Sequence, residues 1–178
     1  MYEKQVSSNL VYDGPALSVR VDKVQKPSGA ITTRDVVEHR DCIAVVPVDS
    51  EGNVLLVRQY RYPVGAVLLE VPAGGIEEGE DAVDCVRREL QEEIGFIPGR
   101  IDKLGGFYSA PGYGTEFLYT YVATDLKPSR LIAEDTDEIE VVSVPLADIP
   151  GLVYSGRICD AKSIAALLTY MAREKLLS

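Results

Sequence analysis

The sequence predicts a mixed β-sheet flanked by helices, a fold of the α/β or α+β class. Apolar and polar residues alternate over positions 16–25 and 31–39, as they do in half-exposed strands. An almost continuous apolar segment at 41–49 is typical of a strand that is buried on both faces. Helical periodicity appears at 80–94 and again at 160–177, so that strands and helices are interspersed along the chain.

The elements are predicted in chain order from these patterns and from the turn residues between them. The segment 26–30, KPSGA, is a turn between the first two alternating strands. The turn at 50–53 separates strand 41–49 from an apolar segment at 54–62, which predicts a β-hairpin. Further strands are expected at 68–75, from 101 up to a glycine–proline loop, at 116–126 and at 139–146. Asp160 is the predicted N-cap of the closing helix, and Pro150 with Gly151 predicts a short or kinked element before it.

Length and composition limit the classes of function. With 178 residues, of which 46% are hydrophobic, the chain can bury the core of one domain with a small appendage. A net charge of −10 argues against binding to a nucleic-acid backbone, although a bound metal can still attract a small anion. No apolar segment approaches the length of a membrane span. Three widely spaced cysteines and a single histidine, His39, predict neither a disulfide scaffold nor a zinc site, and favour a reducing cytoplasm.

The helix at 80–94 carries two carboxylates on its apolar side. At about 100° per residue, Glu89 and Glu93 fall within the stripe formed by the apolar residues, whereas the polar residues occupy the opposite side. The apolar stripe consists of Ala82, Val83, Cys85, Val86, Leu90 and Ile94, and the polar side of Asp84, Arg87 and Gln91. Two buried like charges are unfavourable unless a cation lies between them, and carboxylate oxygens suit Mg²⁺ or Mn²⁺.

Residues 74–96 resemble the Nudix box, Gly-x5-Glu-x7-Arg-Glu-U-x-Glu-Glu-x-Gly-U, in which U is bulky and apolar. Every specified position matches. This resemblance implies a Nudix-type α/β/α sandwich, a loop–helix–loop metal site and cleavage of a nucleoside diphosphate linked to another moiety. The metal ligands it implies are Glu89, Glu93 and the Ala73 carbonyl, with Glu92 at the edge of the stripe as a ligand or catalytic residue. The remaining motif positions have structural or orienting roles, and they are Gly74, Glu80, Arg88 and Gly95.

The individual residues of the box fit these roles. Gly74 allows a tight backbone turn beside the metal, and Gly95 is typical of a helix C-terminus. Glu80 lies near the helix start, where a carboxylate is favourable, so a capping role and a catalytic role both remain open for it. Arg88 lies beside Glu92 and Asp81 on the helical wheel and is interpreted as an orienting salt-bridge partner.

Two further segments resemble the ADP-ribose pyrophosphatase subfamily. The loop 109–116, SAPGYGTE, is similar to the proline-bearing loop of that subfamily, and the run QYRYP at 59–63 before EVPAG at 70–74 is similar as well. Either Arg58 or Arg61, or both, can contact a phosphate or stack on adenine. The resemblance implies that the substrate-binding residues include Arg58, Arg61, Glu70, Pro111, Gly112 and Glu116.

The general base is not fixed by the sequence. In similar enzymes a glutamate in the loop before the last strand takes the proton of the attacking water, and this chain has an acidic loop, EDTDE, at 134–138. The usual pattern has glutamate where this chain has aspartate. The assignment therefore stays open among Glu134, Asp135, Asp137 and Glu138, with the box itself as the other source of a base.

These observations predict two domains and one principal activity. Residues 1–40 are expected to form a β appendage which, as in similar enzymes, dimerises and helps to build the cleft, and residues 41–178 the Nudix domain. The expected activity is Mg²⁺-dependent hydrolysis of ADP-ribose to AMP and ribose 5-phosphate in a cytoplasmic homodimer, with Mn²⁺ as a possible substitute metal. The alternatives are a Nudix enzyme for another nucleotide sugar, such as GDP-mannose, and a non-catalytic ADP-ribose sensor or regulator.

Overall fold

The computed structural model describes residues 2–133 and 138–176, which divide into two compact units. The first unit comprises residues 1–41 and 107–117, and the second comprises residues 42–106 and 118–178. The predicted fold class, a mixed α/β fold with a small N-terminal antiparallel sheet, is confirmed by the arrangement of the strands.

The first unit is built on a three-stranded antiparallel sheet. Its strands are β1 (Lys4–Asp13), β2 (Ser18–Gln25) and β3 (Ile31–Glu38), in that spatial order. The predicted strands at 16–25 and 31–39 are thus confirmed, whereas β1 was not predicted as a strand. The loop 109–116 belongs to the same unit and is attached to β3, because Val37 exchanges backbone hydrogen bonds with Tyr113 and Thr115.

The second unit contains a four-stranded sheet whose central strand is fully buried. The sheet has the order β7 (Ala73–Gly75), β4 (Cys42–Pro47), β9 (Phe117–Pro128) and β8 (Phe96–Tyr108). Strand β4 runs parallel to β9 and antiparallel to β7, so the sheet is mixed. Ile43, Ala44, Val45 and Val46 have no exposed surface, which explains why β4 is continuously apolar.

A separate three-stranded sheet corrects the predicted hairpin. Strand β5 (Asn53–Arg61) lies between β6 (Ala66–Glu70) and β10 (Glu140–Pro145), and both pairings are antiparallel. Strands β4 and β5 therefore belong to different sheets, and their ends are joined by an isolated bridge between Val48 and Val54 and by the turn hydrogen bond from Asp49 N–H to the carbonyl of Asn53. The hairpin prediction was wrong. Both faces of β4 and β5 bury apolar residues, so each strand can lie inside a sheet, and being neighbours in the sequence did not make them pair with each other.

The described residues of the second unit also form three α-helices and two 3-10 turns, Tyr62–Val64 and Leu146–Asp148. Helix α1 (Ala82–Glu89) continues as a π-helical turn over Leu90–Ile94, helix α2 covers Ile149–Tyr154, and helix α3 covers Ala161–Arg173. Asp160 is the N-cap of α3, as predicted, and its carboxylate accepts a hydrogen bond from the backbone N–H of Ser163. The six-residue α2 carries Pro150 in its first turn, where proline is compatible with a helix.

Candidate active site

The helix that carries the candidate metal ligands has defined ends. Asp81 is the N-cap of α1, and its carboxylate accepts a hydrogen bond from the N–H of Val83 at 2.8 Å. At the other end Gly95 has a φ of 76° and terminates the π-helical turn in the left-handed conformation that glycine adopts most easily. Residues 82–94 are thus held as one continuous helical segment that presents the same face to the core.

Glu89 and Glu93 are buried, as the helical wheel predicts. Their exposed fractions are 8% and 7%, and the segment that carries them packs into the main hydrophobic cluster of the second unit. The residues of α1 and of its π-helical turn in that cluster are Cys85, Val86, Leu90 and Ile94. Two carboxylates on this apolar face need compensation by a positive charge or by protonation.

The pKa values of both carboxyl groups reflect this burial. Burial, followed by the neighbouring Glu89 carboxylate, raises the pKa of Glu93 to about 8. Burial also raises the pKa of Glu89, although Arg88 opposes this shift. The backbone N–H of Ala73 donates a hydrogen bond to Oε2 of Glu93 at 3.2 Å and partly compensates its charge. Without a bound cation, the pair therefore favours uptake of a proton.

Gly74 leaves the space that the Glu89 carboxylate occupies. A Cβ atom built on Gly74 would overlap the carboxylate of Glu89, so any larger residue would displace that group. The Ala73–Gly75 strand and the segment 89–93 thus bring the backbone of Ala73 and Gly74 close to the carboxylates of Glu93 and Glu89. This arrangement fits a hard divalent cation, which binds oxygen ligands and favours deprotonated carboxylates.

Arg88 connects the carboxylates of this site. Its guanidinium donates to both oxygens of Glu80, at 2.9 and 3.0 Å, to Glu89 at 2.7 Å and to Glu92 at 3.2 Å. It also donates to the carbonyl oxygen of Gly75 at 3.1 Å. The hydrogen bond from Arg88 lowers the pKa of Glu80 to about 2. These contacts support the orienting role expected for Arg88, whereas Asp81, its other expected neighbour, caps the helix.

A second ionic cluster surrounds Glu70. This residue is only 1% exposed, and its carboxylate accepts hydrogen bonds from Arg61, the closest at 2.6 Å, and from Gln59 at 3.4 Å. Lys162 Nζ lies 2.9 Å from Oε2 of Glu70 and 3.0 Å from Asp160. Burial opposes ionisation of Glu70, but Arg61 and Lys162 outweigh it and lower its pKa. No pattern in the sequence identifies Lys162 as a residue of this region.

Arg58 and Arg61 are separated although they share β5. Arg58 forms an exposed ion pair with Glu140 on β10, with a nitrogen–oxygen distance of 2.9 Å. Positions three apart on a strand point to opposite faces, which explains why Arg61 contacts Glu70 and Arg58 does not. Of the two arginines predicted as substrate ligands, Arg61 alone belongs to the cluster around Glu70.

The other predicted substrate residues lie in the first unit. Pro111 and Gly112 occupy a turn in which the N–H groups of Tyr113 and Gly114 donate to the carbonyl of Ala110. Glu116 follows this turn, and its carboxylate lies 3.4 Å from Nδ1 of His39. The turn holds the loop 109–116 in a defined conformation within that unit.

The acidic loop is described only in part. Glu134, Asp135 and Asp137 lie outside the described residues, and Glu138 is exposed just before β10. The choice of a general base among these four carboxylates therefore stays a prediction.

The fold and the motif residues together define a class of protein with a loop–helix site of clustered carboxylates beside a mixed sheet. The Nudix domain family matches residues 38–167, and the family described as the nucleoside diphosphate sugar hydrolase N-terminal domain matches residues 3–37. The chain belongs to the Nudix family, as the box at 74–96 predicts.

Individual relatives are similar over nearly the whole chain. An ADP-ribose pyrophosphatase of Bacillus subtilis (strain 168) is 33% identical over 176 residues, covering 98% of this chain and 95% of that protein. A methanol dehydrogenase activator of Bacillus methanolicus is 31% identical over 176 residues, with the same coverage of both chains. The solved structure of an ADP compounds hydrolase superposes with a TM-score of 0.89 at 24% identity, covering 99% of this chain and 95% of that one. The resemblance to ADP-ribose pyrophosphatases is thus confirmed, and the solved structure supports the fold.

Proposed function

We propose that this protein hydrolyses the pyrophosphate bond of ADP-ribose to give AMP and ribose 5-phosphate, and that it requires Mg²⁺. The observation that carries the proposal is the pair of buried carboxylates, Glu89 and Glu93, facing Gly74 and Ala73 within an intact Nudix box. A buried acidic pair of this kind is unfavourable in a purely structural role, and a divalent cation compensates it. The similarity to an ADP-ribose pyrophosphatase over 98% of the chain supports the choice of substrate.

The residues that would hold Mg²⁺ are Glu89, Glu93 and the carbonyl of Ala73, with Glu92 as a further ligand. A bound Mg²⁺ supplies two effects, since it polarises the phosphate and lowers the pKa of the attacking water. Arg88 holds Glu80, Glu89 and Glu92 in place through its guanidinium. Mn²⁺ is expected to replace Mg²⁺ because it prefers the same ligand types.

The proton of the attacking water is proposed to pass to a carboxylate of the acidic loop. The four acidic-loop candidates named above remain, and Glu92 or Glu80 takes this role if the loop does not. The choice of the acidic loop as the source of the base rests on chain order. Residue 138 lies just before β10, and β10 pairs with β5, the strand that carries Arg61. A base within hydrogen-bonding reach contributes about 10²–10⁴-fold to the rate.

The residues proposed to contact ADP-ribose rest on different kinds of support. Arg61 is proposed to meet a phosphate or the adenine ring, because its guanidinium is held by Glu70 and its side chain is still 39% exposed. Glu70 itself is proposed to orient Arg61, since its buried carboxylate already accepts several hydrogen bonds. Pro111, Gly112 and Glu116 remain proposed substrate contacts on the grounds of resemblance, and Arg58 is the weaker of the two arginine candidates.

The first unit is proposed to form a homodimer. Every residue of β1 is exposed, including Val6, Leu10, Val11 and Tyr12, and the described residues of this unit form no helix that could cover the sheet. A small sheet with exposed apolar residues gains stability from a partner surface.

The described helices include none that is long and apolar enough to cross a membrane. A cytoplasmic location is proposed because the chain has only three, widely spaced cysteines.

The test is a panel of nucleotide sugars and nucleotides scored by the identity of the products. ADP-ribose is expected to be cleaved fastest, with AMP and ribose 5-phosphate as products in Mg²⁺ and no turnover in EDTA. The variant Glu93→Gln is expected to fold and to lose most of the activity. Full turnover in EDTA would refute the metal requirement, and much faster cleavage of GDP-mannose would refute the choice of substrate but not the metal site.

A further function of a different class is also tested by this panel. A chain that binds ADP-ribose in Mg²⁺ but cleaves no compound of the panel would be a sensor or regulator, the alternative considered from the sequence. The intact box argues against this alternative, because all of its acidic positions are retained.

A further inference from the structure

Lys162 lies at the start of the closing helix and is largely buried. It occupies the first turn of α3, and its side chain is 18% exposed. Its ammonium group contacts the Glu70 carboxylate at 2.9 Å and that of Asp160 at 3.0 Å. Asp160 is also the N-cap of α3, so the position of Lys162 is coupled to the start of the helix. A partly buried lysine that is shared by two carboxylates ties their positions to its own.

The segment 70–75 is held by α3 at one end. Besides the ion pair of Lys162 with Glu70, the hydroxyl oxygen of Ser163 accepts a hydrogen bond from the N–H of Val71 at 2.8 Å. Ser163 and Val71 are completely buried. Lys162 and Ser163, which are adjacent on α3, therefore contact Glu70 and Val71 at the start of the segment. The contact of Glu70 is through its side chain, and that of Val71 is through its backbone N–H.

The other end of the same segment holds the candidate metal ligands. The N–H of Ala73 donates to Glu93, and Gly74 faces the carboxylate of Glu89 without a side chain in between. Between Glu70 and Ala73 lie only Val71, which is bonded to Ser163, and Pro72, whose ring restricts the backbone. Displacement of Glu70 or Val71 is therefore transmitted along a short, stiff path to the ligands.

We propose that Lys162 is a positioning residue for the metal site, acting through Glu70 to hold the segment 70–75 against Glu89 and Glu93. The inference rests on the proposed function, because it concerns the metal site assigned there. Lys162 forms ion pairs with Glu70 and Asp160, and its positive charge also acts on Glu93 through space. Its removal leaves the carboxylate of Glu70 with Arg61 as its remaining ion-pair partner, and that arginine is more exposed.

The experiment measures Mn²⁺ binding to the full chain in the absence of substrate, by electron paramagnetic resonance. Lys162→Met is expected to weaken Mn²⁺ affinity about tenfold or more, the size typical for residues that support metal ligands. Lys162→Arg retains the charge and is expected to restore most of the affinity. The matched control is Arg173→Met in the last turn of the same helix, where an exposed ion pair with Glu174 is removed and no change is expected.

A second measurement separates positioning from general stability. In Lys162→Met, kcat at saturating Mg²⁺ is expected to fall while KM for ADP-ribose stays within about threefold, because Arg61 keeps its own ion pair with Glu70. If Lys162→Met does not fold, the double variant Lys162→Met/Glu70→Gln removes the buried charge that has lost one of its two cationic partners, and is expected to show the same loss of Mn²⁺ affinity. Unchanged Mn²⁺ affinity in either variant would overturn the proposal, even if the melting temperature fell.

The outcome for the wild-type protein distinguishes this proposal from the proposed function. A wild-type chain that binds Mn²⁺ but cleaves a different nucleotide sugar removes the ADP-ribose assignment and leaves the role of Lys162 intact. A wild-type chain that binds no Mn²⁺ overturns the metal site and the positioning role together. Normal affinity in Lys162→Met, in a protein that hydrolyses ADP-ribose, refutes the positioning role alone.

Discussion

The backbone N–H of Ala73 donates a hydrogen bond to Oε2 of Glu93 at 3.2 Å, although the two residues are 20 positions apart. This contact ties the short strand β7 to the last helical turn of the Nudix box. It fixes one oxygen of Glu93 through the backbone, so the position of the carboxylate depends on the segment 70–75 as well as on α1. The stability of this site is therefore sensitive to pH, to backbone substitutions and to the arginine at its centre.

The metal-free protein is expected to lose stability as the pH rises from 4.5 to 8. The pKa of Glu93 is raised from its ordinary value of 4.5 to about 8, first by burial and then by Glu89, against the opposing effects of Ala73, Arg61 and Lys162. The native state therefore binds this proton more tightly than the unfolded chain, so the contribution is complete below pH 4.5 and is lost as the pH rises through 8. Its slope is at most about 1.4 kcal/mol per pH unit.

Urea unfolding in EDTA between pH 5 and 8.5 tests this expectation. Glu93→Gln cannot ionise and is expected to reduce the decline, and the raised pKa of Glu89 accounts for the remainder. Glu70 and Glu80 do not interfere, since their lowered pKa values affect stability only as the pH falls below 4.5. A wild-type profile that rises from pH 5 to 8.5 would contradict the assignment of a buried, protonated Glu93.

Gly74→Ala is expected to weaken metal binding while the fold is retained. The added Cβ overlaps the carboxylate of Glu89, and a flexible side chain yields more easily than the backbone of a paired strand. Glu89 then moves away from its position beside Gly74, and the Mn²⁺ affinity is expected to fall about tenfold or more. The control is Gly151→Ala in α2, where a Cβ meets no heavy atom within 4 Å. Equal Mn²⁺ affinities for both variants would show that the close approach of Gly74 has no role in the site.

Arg88→Lys is expected to destabilise the protein by about 1–3 kcal/mol, because a lysine cannot replace the forked contacts with three carboxylates and one carbonyl. Thermal or urea unfolding at neutral pH measures this loss. Arg87→Lys on the same helix is the matched control, since Arg87 forms one exposed ion pair with Asp84. If both substitutions had equally small effects, Arg88 would not be the organising cation of the site.

The sequence predicts local features of this protein better than its long-range contacts. The buried face of α1 follows from the helical period, so the burial of Glu89 and Glu93 is predictable from residues within one helix. The hairpin of β4 and β5 was wrong because continuous apolar strands carry no information about which strand is their partner. The contact of Ser163 with Val71 joins residues 92 positions apart, and no local pattern distinguishes Lys162 from an exposed lysine of an amphipathic helix.

The remaining missed features have similar causes. Strand β1 lacks a clear alternation of apolar and polar residues. All of its residues are exposed in the single chain, so neither face of the strand has to be apolar to pack against a core. The π-helical turn at Leu90–Ile94 has the same apolar spacing as an α-helix over such a short stretch, and the sequence therefore predicts only a continuous helix.

The full-length protein is expected to be a homodimer, and deletion of residues 1–38 is expected to give a monomer or an aggregate. The deletion removes β1–β3, and with them Val37, whose backbone holds Tyr113 and Thr115 of the loop 109–116. Light scattering on the purified chain gives the mass directly. A monomeric mass for the full-length protein, at concentrations where it is active, would contradict the dimer.

One carboxylate of the acidic loop is expected to account for most of the proton transfer. Single alanine substitutions at Glu134, Asp135, Asp137 and Glu138 should give one variant whose kcat falls by about 10²–10⁴-fold with little change in KM, because a general base acts in the transition state and contributes little to substrate binding. The control is Glu51→Ala, which removes an exposed carboxylate from the turn between β4 and β5. If all four variants keep kcat near that of the wild type, the base lies within the Nudix box, and the same measurement on Glu92→Gln and Glu80→Gln identifies it. Since Glu80 is held by both of its oxygens to Arg88 and its pKa is about 2, Glu92 is then the expected base.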